Sequence, residues 1–294
     1  MSGYKSKKTA DRISQACIWG ILLFMLVILS LPYLFMISNS FEQFSYSLPF
    51  PPRLIPKEFK LDAYQYILQL DIFPICYRNS IVIAVLTVFF EVIIATLSAY
   101  GFARIKFTGR ELLFKIYLFT LMVPGFLNII PQFITLSNIK LGFGAFDNGL
   151  VGTRTGLILI YVSTGICGYT FFLRNFFKGL PDALSESVII DGGSHMTIYR
   201  RIMLPLSKPA IGTMVIFSLQ GIWEEFFTAN VLVGANEAMI TLPILLQRLN
   251  SQHATRWEWV FAASVLVQIP VILLFIIFQK KAVIGGLAEG SVKQ

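Results

Sequence analysis

Acidic side chains inside apolar stretches are the residues of this sequence best placed to do chemistry in a low-dielectric environment. Glu91 lies alone near the middle of one apolar run, and Glu224 and Glu225 lie in the segment SLQGIWEEFFTAN. An acid facing lipid at a bilayer centre costs about 2.5–3.5 kcal/mol, so these side chains are expected to face a protein interior or a water-filled path. Acids in such positions serve proton or ion coupling, or hydrogen bonding between helices.

The segment around Glu224 has two polar or small faces at helical spacing. One face is polar and holds Gln220, Glu224 and Thr228. The neighbouring face consists mostly of small residues suited to close helix packing, namely Ser218, Gly221, Glu225 and Ala229. The sequence leaves a pathway-lining role and a structural role equally open here. The candidate pathway-lining residues are Gln220, Trp223, Glu224, Glu225 and Thr228. Glu91 has no polar stripe around it, which favours a structural role.

Motifs for catalysis, nucleotide binding or metal binding are missing from the sequence. It contains no GxxxxGK[ST] phosphate loop, no GxSxG and no HExxH. The three cysteines (Cys17, Cys76, Cys167) and two histidines (His195, His253) are scattered and form no ligand or disulfide pattern. We therefore predict no catalytic residue, no metal site and no cofactor bound by this chain.

Composition and hydropathy indicate an all-α, polytopic membrane protein. The chain of 294 residues is 55% hydrophobic and only 14% charged, with a mean hydropathy of +0.70. Several apolar runs reach the length of about 20 residues that crosses a bilayer as a helix. Six spans are predicted, at about 16–36, 80–102, 111–136, 157–172, 210–233 and 260–278. Pro124, Gly125 and Pro131 are expected to kink or break the third span.

The distribution of basic residues predicts the orientation. With these boundaries, 16 Lys and Arg lie on the side of both termini and 8 on the other side. Cytoplasmic flanks carry the excess of positive charge, so both termini are predicted to be cytoplasmic. The net charge of +8 thus reflects helix flanks rather than a nucleic-acid surface. The predicted division is a basic tail at 1–13, a membrane domain at 14–284 and a cytoplasmic tail at 285–294.

The longest polar interval on the basic side is the segment 181–209, which predicts two short helices about a turn. Asp182 suits a first helical turn, where negative charge meets the helix dipole. Gly192 and Gly193 can take the left-handed conformation that ends a helix. Ser194 can cap a second helix, and Pro205 is expected to stop it. Such a rigid polar hairpin beside apolar spans has the form of a docking element.

The same segment resembles the EAA loop of ABC importer permeases. That pattern is EAA, three residues, Gly, nine residues, Ile, one residue and Leu-Pro. Glu186, Gly192, Ile202, Leu204 and Pro205 match this pattern. Together with neighbouring residues they make up the predicted coupling loop: Glu186, Ser187, Val188, Asp191, Gly192, Gly193, Ile202, Leu204 and Pro205. Ser187 and Val188 replace the two alanines of the pattern.

Three further matches extend the resemblance over about 76–284 and into the tail. Ala99-Tyr100, Ala103-Arg104, Phe107 and Gly109 are similar to the family's A-Y-x-x-A-R-x-x-F-x-G turn. Trp223, Glu225 and Phe226 resemble a W-N-E-F signature in which Glu224 replaces Asn. The tail residues Gly286, Leu287, Gly290 and Lys293 resemble a closing G-L-x-x-G-x-x-K-G. Together these matches resemble the maltose-type carbohydrate subfamily, in particular the shorter, tail-bearing partner of a permease pair.

The resemblance implies a type I ABC importer permease fold and a set of partners. These are a second permease subunit, two ATPase subunits that bind ATP and Mg, and an extracellular or periplasmic sugar-binding protein. The loop and the tail from 285 onward would contact the ATPase. Two alternatives remain at this point: a permease of the same kind for peptides, amino acids or polyols, or a secondary transporter driven by an ion gradient.

Overall fold

A computed structural model describes the backbone of residues 2–42, 53–139, 149–233, 236–252 and 256–291. Side chains are described for 14–42, 53–139, 149–233, 236–250 and 256–277. The predicted tail residue Lys293 lies outside the described residues, and Gly286, Leu287 and Gly290 are described only as helical backbone.

Throughout its described part the chain is built from helices. They are α1 (Ser2–Asn39), α2 (Asp62–Gln69), α3 (Ile72–Arg104), α4 (Arg110–Phe119), α5 (Ile129–Asn138), α6 (Arg154–Gly179), α7 (Ala183–Ile190), α8 (His195–Ile198), α9 (Leu204–Leu206), α10 (Lys208–Glu224), α11 (Phe227–Val233), α12 (Leu242–Gln252) and α13 (Trp257–Ser291). A π-helical turn over Tyr199–Met203 joins α8 to α9.

The described part of the chain contains four to six candidate membrane spans, compared with six predicted from the sequence. Four helical stretches are long and apolar enough to cross a bilayer: Ser14–Asn39, Ile72–Arg104, Arg154–Gly179 and Trp257–Ile277. Two further pairs of helices pass the same test together but are bent, by 92° between Arg110–Met122 and Gly125–Asn138 and by 72° between His195–Leu206 and Lys208–Glu224. Six spans result when each bent pair counts as one.

The helices fall into two compact units, which are described separately. The first comprises Met1–Leu70 and Leu246–Leu266. Within it, the Tyr66 ring stacks on Trp259 at 3.6 Å between centroids. The Ser40 hydroxyl lies 2.7 Å from the Tyr64 hydroxyl, which ties the end of α1 to α2.

The second unit comprises Asp71–Leu245 and Val267–Gln294, and it contains the segment 181–209. Its centre is the packing of α3, α6 and α10 on one another. Near the segment, apolar side chains from all three helices are buried together: Ala95, Ala99, Tyr100, Leu173, Phe177, Ala210 and Met214. The small alanine side chains of α3 allow its backbone to approach the neighbouring helices closely. Small residues favour helix association in lipid, where the hydrophobic effect does not drive it.

The third and fifth spans differ in how they are interrupted. The third is broken at Pro124, as the sequence predicts. The sequence predicts a continuous fifth span, but α10 ends at Glu224 and a separate α11 follows. The prediction was wrong because the Glu225 carboxylate accepts hydrogen bonds from the Thr228 and Ala229 N–H groups, at 2.7 and 3.0 Å, and so starts a new helix.

One other local prediction was also wrong. Pro205 does not stop the second helix of segment 181–209, because α9 continues through it to Leu206. The π-helical turn before Pro205 has a different hydrogen-bond register from an α-helix, and proline has no N–H to donate in the α-helical register. The interval 234–257, between the fifth and sixth predicted spans, contains α12.

Candidate functional site

Helix α7 is an exposed element of the second unit. All eight of its side chains are described and none is buried. Ile190 is 85% exposed and Ile189 55%, and Met196 after the turn is 48% exposed. A short helix that shows large apolar side chains on a polar side of the chain marks an interaction surface.

A glycine turn fixes the direction of α7. Gly192 has a φ of +78°, a conformation that ordinary side chains avoid, and its N–H donates to the Ile189 carbonyl at 3.0 Å. The Gly193 N–H donates to the Val188 carbonyl at 2.8 Å. The Ser194 hydroxyl then accepts from the Thr197 N–H at 3.3 Å and caps α8. The predicted helix–turn–helix is therefore confirmed, with Gly192 and Ser194 in the predicted roles, whereas Gly193 does not take the left-handed conformation.

The second arm of the hairpin is rooted in the core. Ile198, Tyr199 and Met203 are buried among the packed side chains of α3, α6 and α10. The Tyr199 hydroxyl lies 2.8 Å from the hydroxyl of Thr96 on α3. These contacts fix the second arm of the hairpin to α3 and to the buried core of the unit.

The first arm is held by Arg104, the last residue of α3. One guanidinium nitrogen donates to the carbonyls of Phe177 and Leu180, each at 2.6 Å, and another pairs with the Asp182 carboxylate. The Arg104 side chain is only 7% exposed. The Arg104 guanidinium thus satisfies carbonyls at the end of α6 and holds the start of α7. These contacts couple α7 to α3.

Arg174 secures the neighbouring turn in the same way. It donates to both oxygens of Glu111, at 3.0 and 3.1 Å, and its guanidinium lies 3.7 Å from the Phe114 ring centroid. The first turn of α4 is therefore fixed to α6. Arg104, Asp182 and Arg174 are not among the predicted site residues, although Arg104 belongs to a motif that the sequence shows. The local signal that could have found them is a charged side chain at or near the end of a helix.

The predicted coupling-loop residues do not form one surface. Glu186, Ser187, Asp191 and Gly192 are exposed on or next to α7. Val188 is half-buried against the core at the base of α7. The remaining residues lie at the turn (Gly193) and in the anchoring arm (Ile202, Leu204, Pro205). The contact surface and its anchor are thus carried by different parts of one motif.

The candidate pathway residues divide into packed and open positions. Trp223 is buried and donates from Nε1 to the Val267 carbonyl at 3.0 Å. Glu225 accepts from the Tyr161 hydroxyl at 2.7 Å in addition to its two backbone donors. Gln220 and Glu224 are exposed, with 3.4 Å between their side-chain nitrogen and oxygen, and Thr228 is half-buried. Glu225 therefore positions α11, and Trp223 packs inside the unit. Gln220 and Glu224 form an exposed polar face on α10.

Glu91 lies at the point where the three central helices meet. It is 2% exposed, and the Ser218 hydroxyl of α10 donates to its carboxylate. On α6, a Cβ added to Gly165 would collide with that carboxylate and would lie 3.1 Å from the Tyr169 ring. The buried acid is thus a junction between helices, which agrees with the structural role that the sequence favours.

Substitution of Gly165 by alanine is expected to destabilise the protein by about 1–3 kcal/mol, the usual cost of overpacking. Gly168, one turn further along α6, has no atom within 4 Å of the position that an alanine methyl group would take and provides the matched control. The apparent melting temperature of the purified chain in detergent should fall for Gly165→Ala and not for Gly168→Ala. Equal melting temperatures for the two variants would contradict the close packing at Glu91.

Comparison of the sequence with known proteins identifies one family. Residues 91–282 match the family model for the binding-protein-dependent transport system inner membrane component. A diacetylchitobiose uptake system permease of Streptomyces coelicolor is 28% identical over 98% of this chain and 92% of its own length. An arabinooligosaccharides transport system permease of Bacillus subtilis is 33% identical over 81% of this chain and 80% of its own.

Solved structures show the same fold. The crystal structure of a bacterial ABC transporter involved in import of the acidic polysaccharide alginate superposes with a TM-score of 0.71. The match covers 92% of this chain and 97% of that chain, at 23% identity. The predicted all-α membrane fold is confirmed.

Proposed function

Because this chain belongs to the family of inner-membrane components of binding-protein-dependent transport systems, we propose that it is the permease subunit of an ATP-driven importer for a sugar or oligosaccharide. The relatives named for chitobiose and arabinooligosaccharide transport support the carbohydrate class. The observation that carries the coupling role is α7, an exposed helix whose hairpin is held to α3 through Tyr199 and to α3 and α6 through Arg104.

The coupling mechanism that this geometry supports is a rigid lever. An ATPase subunit would bind the exposed side of α7, and closure of the ATPase dimer on ATP and Mg would move it. Because Arg104 and Tyr199 tie the two arms to α3, that movement would reach the central helices directly. ATP shifts the permease between inward- and outward-open states only because it binds more tightly to the complex in one state than in the other.

The remaining assembly follows the family. The partners are a second permease subunit, two ATPase subunits and an external sugar-binding protein, with both termini and α7 in the cytoplasm. The exposed Gln220 and Glu224 would face the transport path shared with the second permease. The helical tail, with Gly286, Leu287 and Gly290, would extend toward the ATPase. All nucleotide and Mg contacts would lie on that subunit.

Uptake measurements in proteoliposomes test the energy source and the substrate class together. The reconstituted complex is expected to accumulate labelled oligosaccharide only with internal ATP and Mg and with its binding protein outside. A protonophore or a sodium ionophore should leave uptake unchanged. Uptake that persists without ATP and collapses with the ion gradient would contradict the proposal. ATP-driven uptake of peptides or amino acids, but not sugars, would retain the mechanism and change the substrate.

A further inference from the structure

A basic cavity of about 310 Å³ lies at the turn between α3 and α4. It is lined by Lys106, Phe107, Gly109, Arg110, Glu111 and Leu112. We propose that this cavity binds the headgroup of an anionic phospholipid. The proposal concerns the membrane rather than the transported solute, and it does not depend on which substrate is carried.

The charge balance at the cavity favours an anion. Glu111 is the acid in its lining, and its carboxylate is already bound by Arg174 at 3.0 Å and by Arg110 at 3.1 Å. Lys106 in the lining and Lys115, one turn along α4, are both exposed. Within the described part of the chain, neither lysine has an ion-pair or hydrogen-bond partner. Lys106 is therefore available in the lining for a phosphate group, and Lys115 adds positive charge on α4 outside the lining.

The backbone at the cavity adds to this preference. Gly109 precedes α4 with a φ of +83°, and no side chain caps the first N–H groups of that ten-residue helix. The cavity lining includes the first residues of α4, so the positive end of the helix dipole and its uncapped N–H groups favour an anion at this end of the helix. These donors supplement the lysines.

An apolar stripe beside the cavity identifies the ligand as a lipid rather than a soluble anion. Leu112, Ile116 and Phe119 follow one another at helical spacing on α4 and are 64%, 57% and 67% exposed. Because α4 is half of a membrane-spanning pair, this stripe faces acyl chains while the cavity lies at its polar end. Basic groups above an apolar stripe match the two halves of one phospholipid.

Native mass spectrometry of the full-length chain tests the site. The detergent-solubilised chain is incubated with equal amounts of phosphatidylglycerol and phosphatidylcholine, and the ratio of the two bound lipids is measured. The wild type is expected to retain phosphatidylglycerol preferentially. The double variant Lys106→Gln/Lys115→Gln should lose about fivefold of that preference per lysine, the factor that corresponds to about 1 kcal/mol for each basic residue at a membrane surface.

A matched control removes the same charge elsewhere. Lys57→Gln/Lys60→Gln lies in the segment before α2 and should keep the wild-type ratio. An unchanged ratio in the Lys106/Lys115 variant, or an equal loss in the control, would overturn the proposal. Displacement of phosphatidylglycerol by excess inorganic phosphate would assign the cavity to free phosphate instead. Loss of a co-purifying ATPase with unchanged lipid retention would assign the lysines to a protein contact.

Discussion

Replacing Gly192 by valine is expected to abolish substrate uptake while leaving the chain inserted in the membrane. The residue has a φ of +78°, and this conformation costs an L-residue about 1–2 kcal/mol, with β-branched residues least tolerant. No atom lies within 4 Å of a Cβ at this position, so the effect is on backbone direction rather than on packing. The turn would re-form with α7 pointing elsewhere, and the helix would no longer meet its partner.

Asparagine at the same position provides the control. Asparagine tolerates the left-handed conformation, so Gly192→Asn is expected to retain most of the uptake. Membrane levels of both variants are measured by immunoblot of the membrane fraction, and uptake with labelled oligosaccharide. Normal uptake by Gly192→Val, or equal loss in both variants, would contradict the role of the turn.

Replacing Arg104 by alanine is expected to have the largest effect on stability, about 3 kcal/mol. The substitution leaves the Phe177 and Leu180 carbonyls without their charged donor and frees the start of α7 from Asp182. Lysine is not expected to restore the function, because a single ammonium does not reproduce the planar fork that reaches all three acceptors.

The control for Arg104 is Lys57→Ala, which removes an exposed cation from the segment before α2. The two measurements are the apparent melting temperature in detergent and ATP hydrolysis by the assembled complex. Arg104→Ala should lower the melting temperature and make ATP hydrolysis independent of substrate, whereas Lys57→Ala should change neither. Wild-type values for Arg104→Ala would show that the end of α6 and the start of α7 are held by other contacts.

Local sequence signals predicted the hairpin because its determinants are close in the chain. Gly192, Gly193 and Ser194 act on backbone groups within five residues, so their types alone specify the turn and the cap. The broken third span was predictable for the same reason, since Pro124 acts on its own helix.

Tertiary contacts account for what the sequence could not predict. Arg104 and Asp182 are 78 positions apart, and Glu91 and Ser218 are 127 apart. Each pairing depends on how α3 packs on the helices that follow it. The break in the fifth span had a local signal in the cap from Glu225, but the Tyr161 hydroxyl that completes it comes from α6.

Binding of an ATPase subunit to α7 is tested most directly by co-purification. Tagged wild-type chain, Gly192→Asn and Gly192→Val are purified from membranes of the native host, and the associated subunits are quantified. Wild type and Gly192→Asn are predicted to carry an ATPase and a second permease, and Gly192→Val the second permease alone. An undiminished ATPase on Gly192→Val would contradict the claim.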